Sequence, residues 1–274
     1  MKSVAIIGAG GKMGARAVDK LSAANRWRLL LCESDPSKAA ALATTPLDEA
    51  MQSADHVVMA VPDALIGRIS RDLVPRMKQG GTLIMLDAAA AYVGQLASRP
   101  GVTQMIAHPC HPPFFTVQPT PEAQADYFGG VAAQDIIVSL IEGDEACFTE
   151  GIEVCKDMFG PVNRALRVTP EQFAFLEPAM SEILVAAAAC WMKDALEETV
   201  ARGVPRDAAE AFIAGHAQIA MAIAFGAEKA PFSDAAKLAV QWGTQQYISP
   251  AWRKAFDREV LEEAIAFMLG PASS

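Results

Sequence analysis

The chain has 274 residues, 52% of them hydrophobic, so it is long enough for a large core and too apolar for disorder. A formal net charge of −9 argues against non-specific binding to nucleic acid or to an anionic membrane surface, and neither is expected as a partner. Five scattered cysteines, Cys32, Cys110, Cys147, Cys155 and Cys190, include no C-x-x-C pair, which argues against a disulfide framework or a cysteine zinc cage.

Val4 to Ile7 is a short apolar run with β-branched residues, and it leads straight into Gly8, Gly10, Gly11 and Gly14. Strand, glycine turn and helix in that order build a site for a dinucleotide pyrophosphate. The glycines allow close backbone approach, and the free N–H groups of the next helix face the negative charge. Gly8, Gly10, Gly11, Lys12, Met13 and Gly14 are therefore candidate cofactor contacts. The spacing departs from G-x-G-x-x-G, because Met13 holds the place of the third glycine; read from Ala9, it becomes A-x-G-x-x-G. No basic region and apolar core of a signal peptide precede this strand, so a cytoplasmic protein is expected.

Arg28 to Cys32 reads as a second strand, ending at Glu33. An acid roughly 20 residues beyond the glycine turn is placed to bind the adenosine ribose hydroxyls and to repel a 2′-phosphate, which favours NAD over NADP. The alternative is a capping or solvated loop acid. Helices are expected over 36–43 and 46–53, a strand over 55–61 broken by Pro62, and a helix over 65–77. Strands follow at 82–86, 102–107, 131–140 and 162–168, with a helix over 145–159 before the last. Strands alternating with helices imply a parallel sheet covered on both faces.

Beyond Thr169-Pro170-Glu171, a helix start with proline at its first position, the chain is alanine-rich and almost free of glycine as far as Gly203. Further helices are expected near 205–225, 233–245 and 250–268. The apolar stretch from Ile183 to Met192 is short and flanked by Glu182 and Lys193, which reads as a buried helix rather than a membrane span. The expected fold is α/β: a Rossmann dinucleotide-binding domain over 1–168 followed by an all-helical substrate and dimerisation domain over 169–274.

Ligands of an open α/β sheet bind beyond the carboxyl ends of its strands. Pro62 and Asp63 lie at one such end, where the nicotinamide half should pass. Another end carries HPCHPP, residues 108–113, with two of the four histidines in a proline-stiffened loop. His108, and His111 beside it, are the candidates to take the proton of an alcohol while hydride leaves to the nicotinamide. His56, at a strand start, and His216, in an apolar helix, read as structural. Glu177 precedes Pro178 in an apolar stretch, where a carboxylate needs a partner. With a histidine it can bind a divalent metal or form a pair without one; the plain alternative is an acid in a first helical turn.

GAGGKMG (8–14), AVPD (60–63), LDAAA (86–90), HPCHPP (108–113), FGG (128–130) and LEP (176–178) carry a resemblance. Over nearly its whole length the chain resembles the D-apionate oxidoisomerase family, within the 6-phosphogluconate/3-hydroxyacid dehydrogenase-like superfamily. AVPD and AHPCHPP also resemble prephenate dehydrogenases. The lysine–asparagine pair that many 3-hydroxyacid dehydrogenases use has no counterpart. The only asparagines are Asn25 and Asn163, and neither follows a lysine by three residues, so His108 replaces the pair as base.

The resemblance implies NAD-linked oxidation of a small branched sugar acid, D-apionate, coupled to isomerisation to 3-oxo-isoapionate. Such a rearrangement calls for an electrophile that holds the substrate oxygens, and a divalent metal (zinc or magnesium) on His108 and Glu177 would supply it. It also implies a homodimer. So do Trp191, Phe212, Phe225, Phe232, Trp242, Trp252 and Phe267, which are more large aromatics than a small helical bundle easily buries. The competing functions are a prephenate dehydrogenase-like or 6-phosphogluconate dehydrogenase-like oxidoreductase and a non-catalytic NAD-binding regulator. A phosphorylated substrate would need clustered cations, whereas Arg202, Arg206, Arg253 and Arg258 are spread along the chain.

Overall fold

A computed structural model describes residues 1–270. The first half folds as β1 (Ser3–Ile7), α1 (Lys12–Ala24), β2 (Arg28–Cys32), α2 (Pro36–Ala39), α3 (Leu47–Ser53), β3 (His56–Met59), α4 (Asp63–Leu73), β4 (Thr82–Met85) and α5 (Ala89–Tyr92). There follow β5 (Thr103–Pro109), α6 (Pro121–Gln124), β6 (Gln134–Glu142), α7 (Glu145–Phe159), β7 (Val162–Arg167) and α8 (Pro170–Ala174). The seven strands form one sheet in the order β2-β1-β3-β4-β5-β6-β7.

Side chains alternate between two cores. Ala5, Ile7, Val57, Met59, Leu83, Met85 and Phe173 pack on one face. Val4, Ile6, Val58, Ile84, Met105, Val138 and Phe148 pack on the other. Burial on both faces is why these strands read as continuous apolar runs.

The sheet is not parallel throughout. The first five strands are parallel, but β6 runs against β5, and β7 runs parallel to β6. Parallel neighbours need a crossover that carries the chain back to the far end of the sheet. The segment from Cys110 to Ala133 contains only the one-turn α6 and stays at the carboxyl end of β5, so the next strand must return. The start of β6 is also later than expected from Val131. The amides of Val131 and Ala132 bond to the Asp126 carboxylate and that of Ala133 to the Gln118 side chain, which leaves them out of the ladder.

After α8 the helix widens to π winding over Phe175–Ala186, with Pro178 inside it, and then continues as α9 (Ala187–Ala201). Proline lacks the N–H that regular α winding needs, and wider turns at such a point are a known accommodation. The remaining helices are α10 (Arg206–Ala224), α11 (Asp234–Tyr247), a 3-10 segment (Pro250–Phe256) and α12 (Arg258–Leu269).

Two compact units emerge, and the division lies beyond the expected residue 168. One comprises Met1–Glu177 together with the chain from Glu262, and the other Pro178–Leu261. Phe173 and Ala174 are buried in the first unit, which ties α8 to the sheet domain. The helical run Pro170–Ala201 is long and apolar enough by composition to cross a membrane. The expectation that Ile183–Met192 is buried needs correction: Val185 and Trp191 are exposed, and α9 has no fully buried residue. Apolar character there reflects surface left uncovered in the single chain, not core.

Candidate active site

The glycine turn is built by close contacts. Gly8 lies at φ +81°, and the amides of Gly8 and Ala9 both bond to the carbonyl of Cys32, at 2.9 and 3.1 Å. Gly11 caps α1, and a Cβ on Gly14 would stand 2.0 Å from the Gly8 carbonyl oxygen. Gly14 is therefore the residue that lets helix and strand close together, and the frame beginning at Ala9 is the one in use. Met13 and Lys12 occupy the first turn of α1.

Glu33 reaches back to this turn. Its Oε2 accepts the Gly10 amide at 2.9 Å and its Oε1 accepts the Asp35 amide at 2.9 Å. A cavity of about 440 Å³ opens beside it, walled by Cys32, Glu33, Thr45, Pro46, Leu47 and Val61. An apolar slot with a carboxylate at its rim suits an adenosine moiety. Pro62 caps α4, and Asp63 is its first residue. Removal of water around Asp63, together with the negative charge of Glu177, pushes its carboxyl up from the usual range.

His108 lies at the carboxyl end of β5, the strand next to β4, and its Nε2 is 3.0 Å from Glu177 Oε1. The other oxygen of Glu177 accepts the Ala88 amide at 3.0 Å, at the turn where Asp87 Oδ1 accepts the Ala89 amide at 2.7 Å. Glu177 is thus a buried acid with partners on both oxygens, which a buried carboxylate requires. His108 Nδ1 is 2.9 Å from the Pro109 carbonyl. A carbonyl can only accept, so Nδ1 carries a proton, and Nε2, which faces Glu177 Oε1, is the nitrogen at which a proton can come and go. Burial alone would lower this imidazole, but the hydrogen bond and charge of Glu177 outweigh burial and hold it above its ordinary value.

His111 sits at φ +60°, with its ring perpendicular to that of His108 at 6.0 Å between centroids. Its Nδ1 is 2.8 Å from the Phe128 carbonyl. The other two histidines have different partners. His56 is buried on β3 against Trp27, and His216 stacks on Phe212 in α10. The expected set is therefore brought together in two groups: Gly8–Gly14 with Glu33 at the turn, and His108, His111, Glu177 and Asp63 at the other strand ends.

Sequence reasoning missed three contributors. Ala88 acts through its backbone, and nothing within LDAAA (86–90) marked it out. Asp87 stood within LDAAA with no role assigned to it. Asp126, two residues before Phe128-Gly129-Gly130, was legible as an Asx-type turn signal. Arg202 pairs with Glu198, Arg206 with Glu197 and Glu210, and Arg253 lies over Trp252.

A histidine–carboxylate pair and a dinucleotide turn at the strand ends of one sheet define an NAD-linked oxidoreductase. Known proteins narrow that class. Residues 116–269 match the family described as phosphogluconate dehydrogenase (decarboxylating) C-term. The D-apionate oxidoisomerase of Blautia hydrogenotrophica is 41% identical over 98% of this chain and 96% of its own length. That of Cupriavidus necator is 39% identical over 96% of this chain and 98% of its own. A solved semialdehyde dehydrogenase NAD-binding protein from Cupriavidus necator, in complex with calcium and NAD, matches with a TM-score of 0.94 at 37% identity, over 98% of this chain and 99% of that one. The chain belongs to the D-apionate oxidoisomerase family, and it is an enzyme.

Proposed function

We propose that the enzyme oxidises D-apionate with NAD and isomerises the product to 3-oxo-isoapionate. The observation that carries this reading is the His108–Glu177 pair at 3.0 Å, at a strand end of a sheet that also holds the dinucleotide turn. Bound NAD supplies the hydride acceptor. The pair receives the proton of the substrate's secondary hydroxyl as that carbinol becomes a ketone, and the proton is shared between Nε2 and Oε1. Isomerisation then needs a second hydroxyl, on the neighbouring tertiary carbon, to lose its proton. As its oxygen becomes a carbonyl, one carbon substituent migrates with its bonding pair to the ketone carbon, whose oxygen takes up the proton. His111, whose ring lies 6.0 Å from that of His108, would hold that second hydroxyl. Gly8, Gly10, Gly11, Lys12, Met13, Gly14 and Glu33 would hold the cofactor, with Pro62 and Asp63 along its nicotinamide half.

The test is a panel of sugar acids with NAD, read as absorbance of the reduced nicotinamide. D-apionate should be the best substrate. Turnover of prephenate or 6-phosphogluconate in its place would overturn the assignment, and a chain that binds NAD and turns over none of them would be a regulator.

A metal requirement is the finer reading. His108 Nε2 and Glu177 Oε1, 3.0 Å apart, would hold the ion. Among the described residues no group of three or more His, Cys, Asp or Glu could hold an ion, so water and substrate oxygens would complete the shell. Zinc suits the imidazole and magnesium the oxygens. When bound, the ion would polarise the substrate carbonyl. Coordination and proton acceptance exclude each other at Nε2, because Nδ1 is committed to Pro109. A chelator that abolishes turnover favours the metal; one without effect favours the pair alone.

The same reading includes a homodimer in the cytoplasm, formed through the helical domain. Trp191, Phe212, Phe225 and Trp242 are 55%, 66%, 73% and 57% exposed, and a second copy of that surface is the partner that would cover them.

A further inference from the structure

The FGG segment, 128–130, has no part in the chemistry above, yet its turn is tied down by several hydrogen bonds. Asp126 Oδ1 accepts the amides of Phe128 and Gly129 at 3.2 and 2.9 Å. Its Oδ2 accepts those of Val131 and Ala132 at 2.9 and 3.0 Å. One carboxylate thereby satisfies four backbone donors that cannot reach the sheet. Lys20 of α1 donates to the Gly130 carbonyl, and the Arg16 guanidinium lies 3.8 Å from the centre of the Phe128 ring. Gly129 is at φ +101°, with its open side 2.3 Å from the Gln134 amide nitrogen where a Cβ would be, so no other residue makes this turn without strain.

The product of this bonding is one fixed carbonyl. Phe128 C=O points at His111 Nδ1 from 2.8 Å, and the Phe128 ring lies 5.0 Å from the His111 ring. Because the carbonyl accepts, Nδ1 must hold the hydrogen, and Nε2 is left as an acceptor. We propose that Asp126 is a positioning residue that ties the 126–132 turn so that Phe128 selects the Nδ1–H tautomer of His111 and leaves its Nε2 lone pair for a substrate hydroxyl. This rests on the reading of His111 as a site residue. The neutral imidazole has two tautomers of similar energy in water, and only one can take the second hydroxyl's proton through Nε2. A carbonyl in a turn that four amide bonds tie to Asp126, with Lys20 on the Gly130 carbonyl, makes that choice before substrate arrives. The backbone of His111, in the left-handed region where non-glycine residues are uncommon, shows the same loop held in a demanding conformation.

The experiment combines ring-nitrogen spectra with turnover. Long-range proton–nitrogen correlation on the full-length enzyme at pH 8 separates Nδ1–H from Nε2–H histidines, and His111→Gln identifies the His111 signals by their loss. The native enzyme should show His111 as Nδ1–H. Asp126→Ala should move it to a mixture or to Nε2–H and lower kcat on D-apionate by about tenfold or more, with the KM for NAD little changed. Asp126→Glu, which keeps the carboxylate, should recover part of both. If Asp126→Ala does not unfold cooperatively, Gly129→Ala disturbs the same turn and should shift the tautomer in the same sense. An unchanged tautomer in these variants, with His111→Gln inactive, overturns the positioning role alone. Native turnover in His111→Gln overturns the reading of His111, and this proposal with it.

Discussion

At the scale of single residues, two carboxylates set the enzyme's choices. Glu33 is held in place by the Gly10 and Asp35 amides, which leaves its remaining lone pairs for ribose hydroxyls. Glu33→Ser should bring the NAD and NADP dissociation constants closer by about tenfold, read by calorimetry, since one lost charge repulsion or charged hydrogen bond is worth about 1.5 kcal/mol. Tighter native binding of NADP would refute the assignment. Glu177 acts on His108. The imidazole is a base only when neutral, and Glu177 raises its pKa above the ordinary 6.5. The rate of oxidation should therefore rise with pH through a midpoint above 6.5. Glu177→Gln keeps the shape and removes the anion, so that midpoint should move to lower pH while the limiting rate falls. An unmoved midpoint in the variant would mean that His108 does not control the limb.

Among the elements, the join of β1 to α1 carries the most consequence, because the pyrophosphate site exists only while the two are close. Gly14→Ala puts a methyl 2.0 Å from the Gly8 carbonyl and forces α1 away. It should cost about 1–3 kcal/mol of stability and weaken NAD binding at least tenfold, measured by urea unfolding and calorimetry. The glycine turn, the strand ends and α7 (Glu145–Phe159) were legible because short-range rules govern them: apolar runs, capping residues and turn glycines. In the structure Asp144 caps α7 by accepting the Ala146 and Cys147 amides. The reversal of β6 was not legible, since apolar content says nothing of direction, and only the missing crossover helix hinted at it. HPCHPP and Glu177 were each visible as unusual residues. Their approach to 3.0 Å depends on a helix that leaves the sheet and widens, and no local pattern encodes that distance.

For the whole molecule, two properties follow from what is covered and what is not. The exposed aromatics of the helical unit predict a dimer mass in light scattering at micromolar concentration, and a monomer there would remove that part of the reading. The second property is acid sensitivity. His56 is buried on β3 with neither ring nitrogen hydrogen-bonded among the described residues, and burial lowers its pKa from 6.5 to about 4. Above pH 6.5 it is neutral whether folded or not. Between 6.5 and 4 the unfolded chain takes up a proton that the folded chain refuses, so stability falls as pH falls, by about 3 kcal/mol in all from this group. Below 4 both forms are protonated and the contribution levels off. Urea midpoints at pH 7 and 5 should differ more in the native protein than in His56→Gln.

The place where the chain divides also dictates how such enzymes can be recombined. Glu177 is the last residue of the sheet unit, and the helical unit begins at Pro178 and ends at Leu261. A chimera that exchanges residues 178–261 between relatives keeps His108 and Glu177 from one parent, with one joint inside the π-wound segment Phe175–Ala186 and the other inside α12. A crossover at 168, where the texture of the sequence changes, would pair the histidine of one parent with the glutamate of the other. A joint directly after the acid, rather than at 168, would vary the helical surface without parting Glu177 from His108.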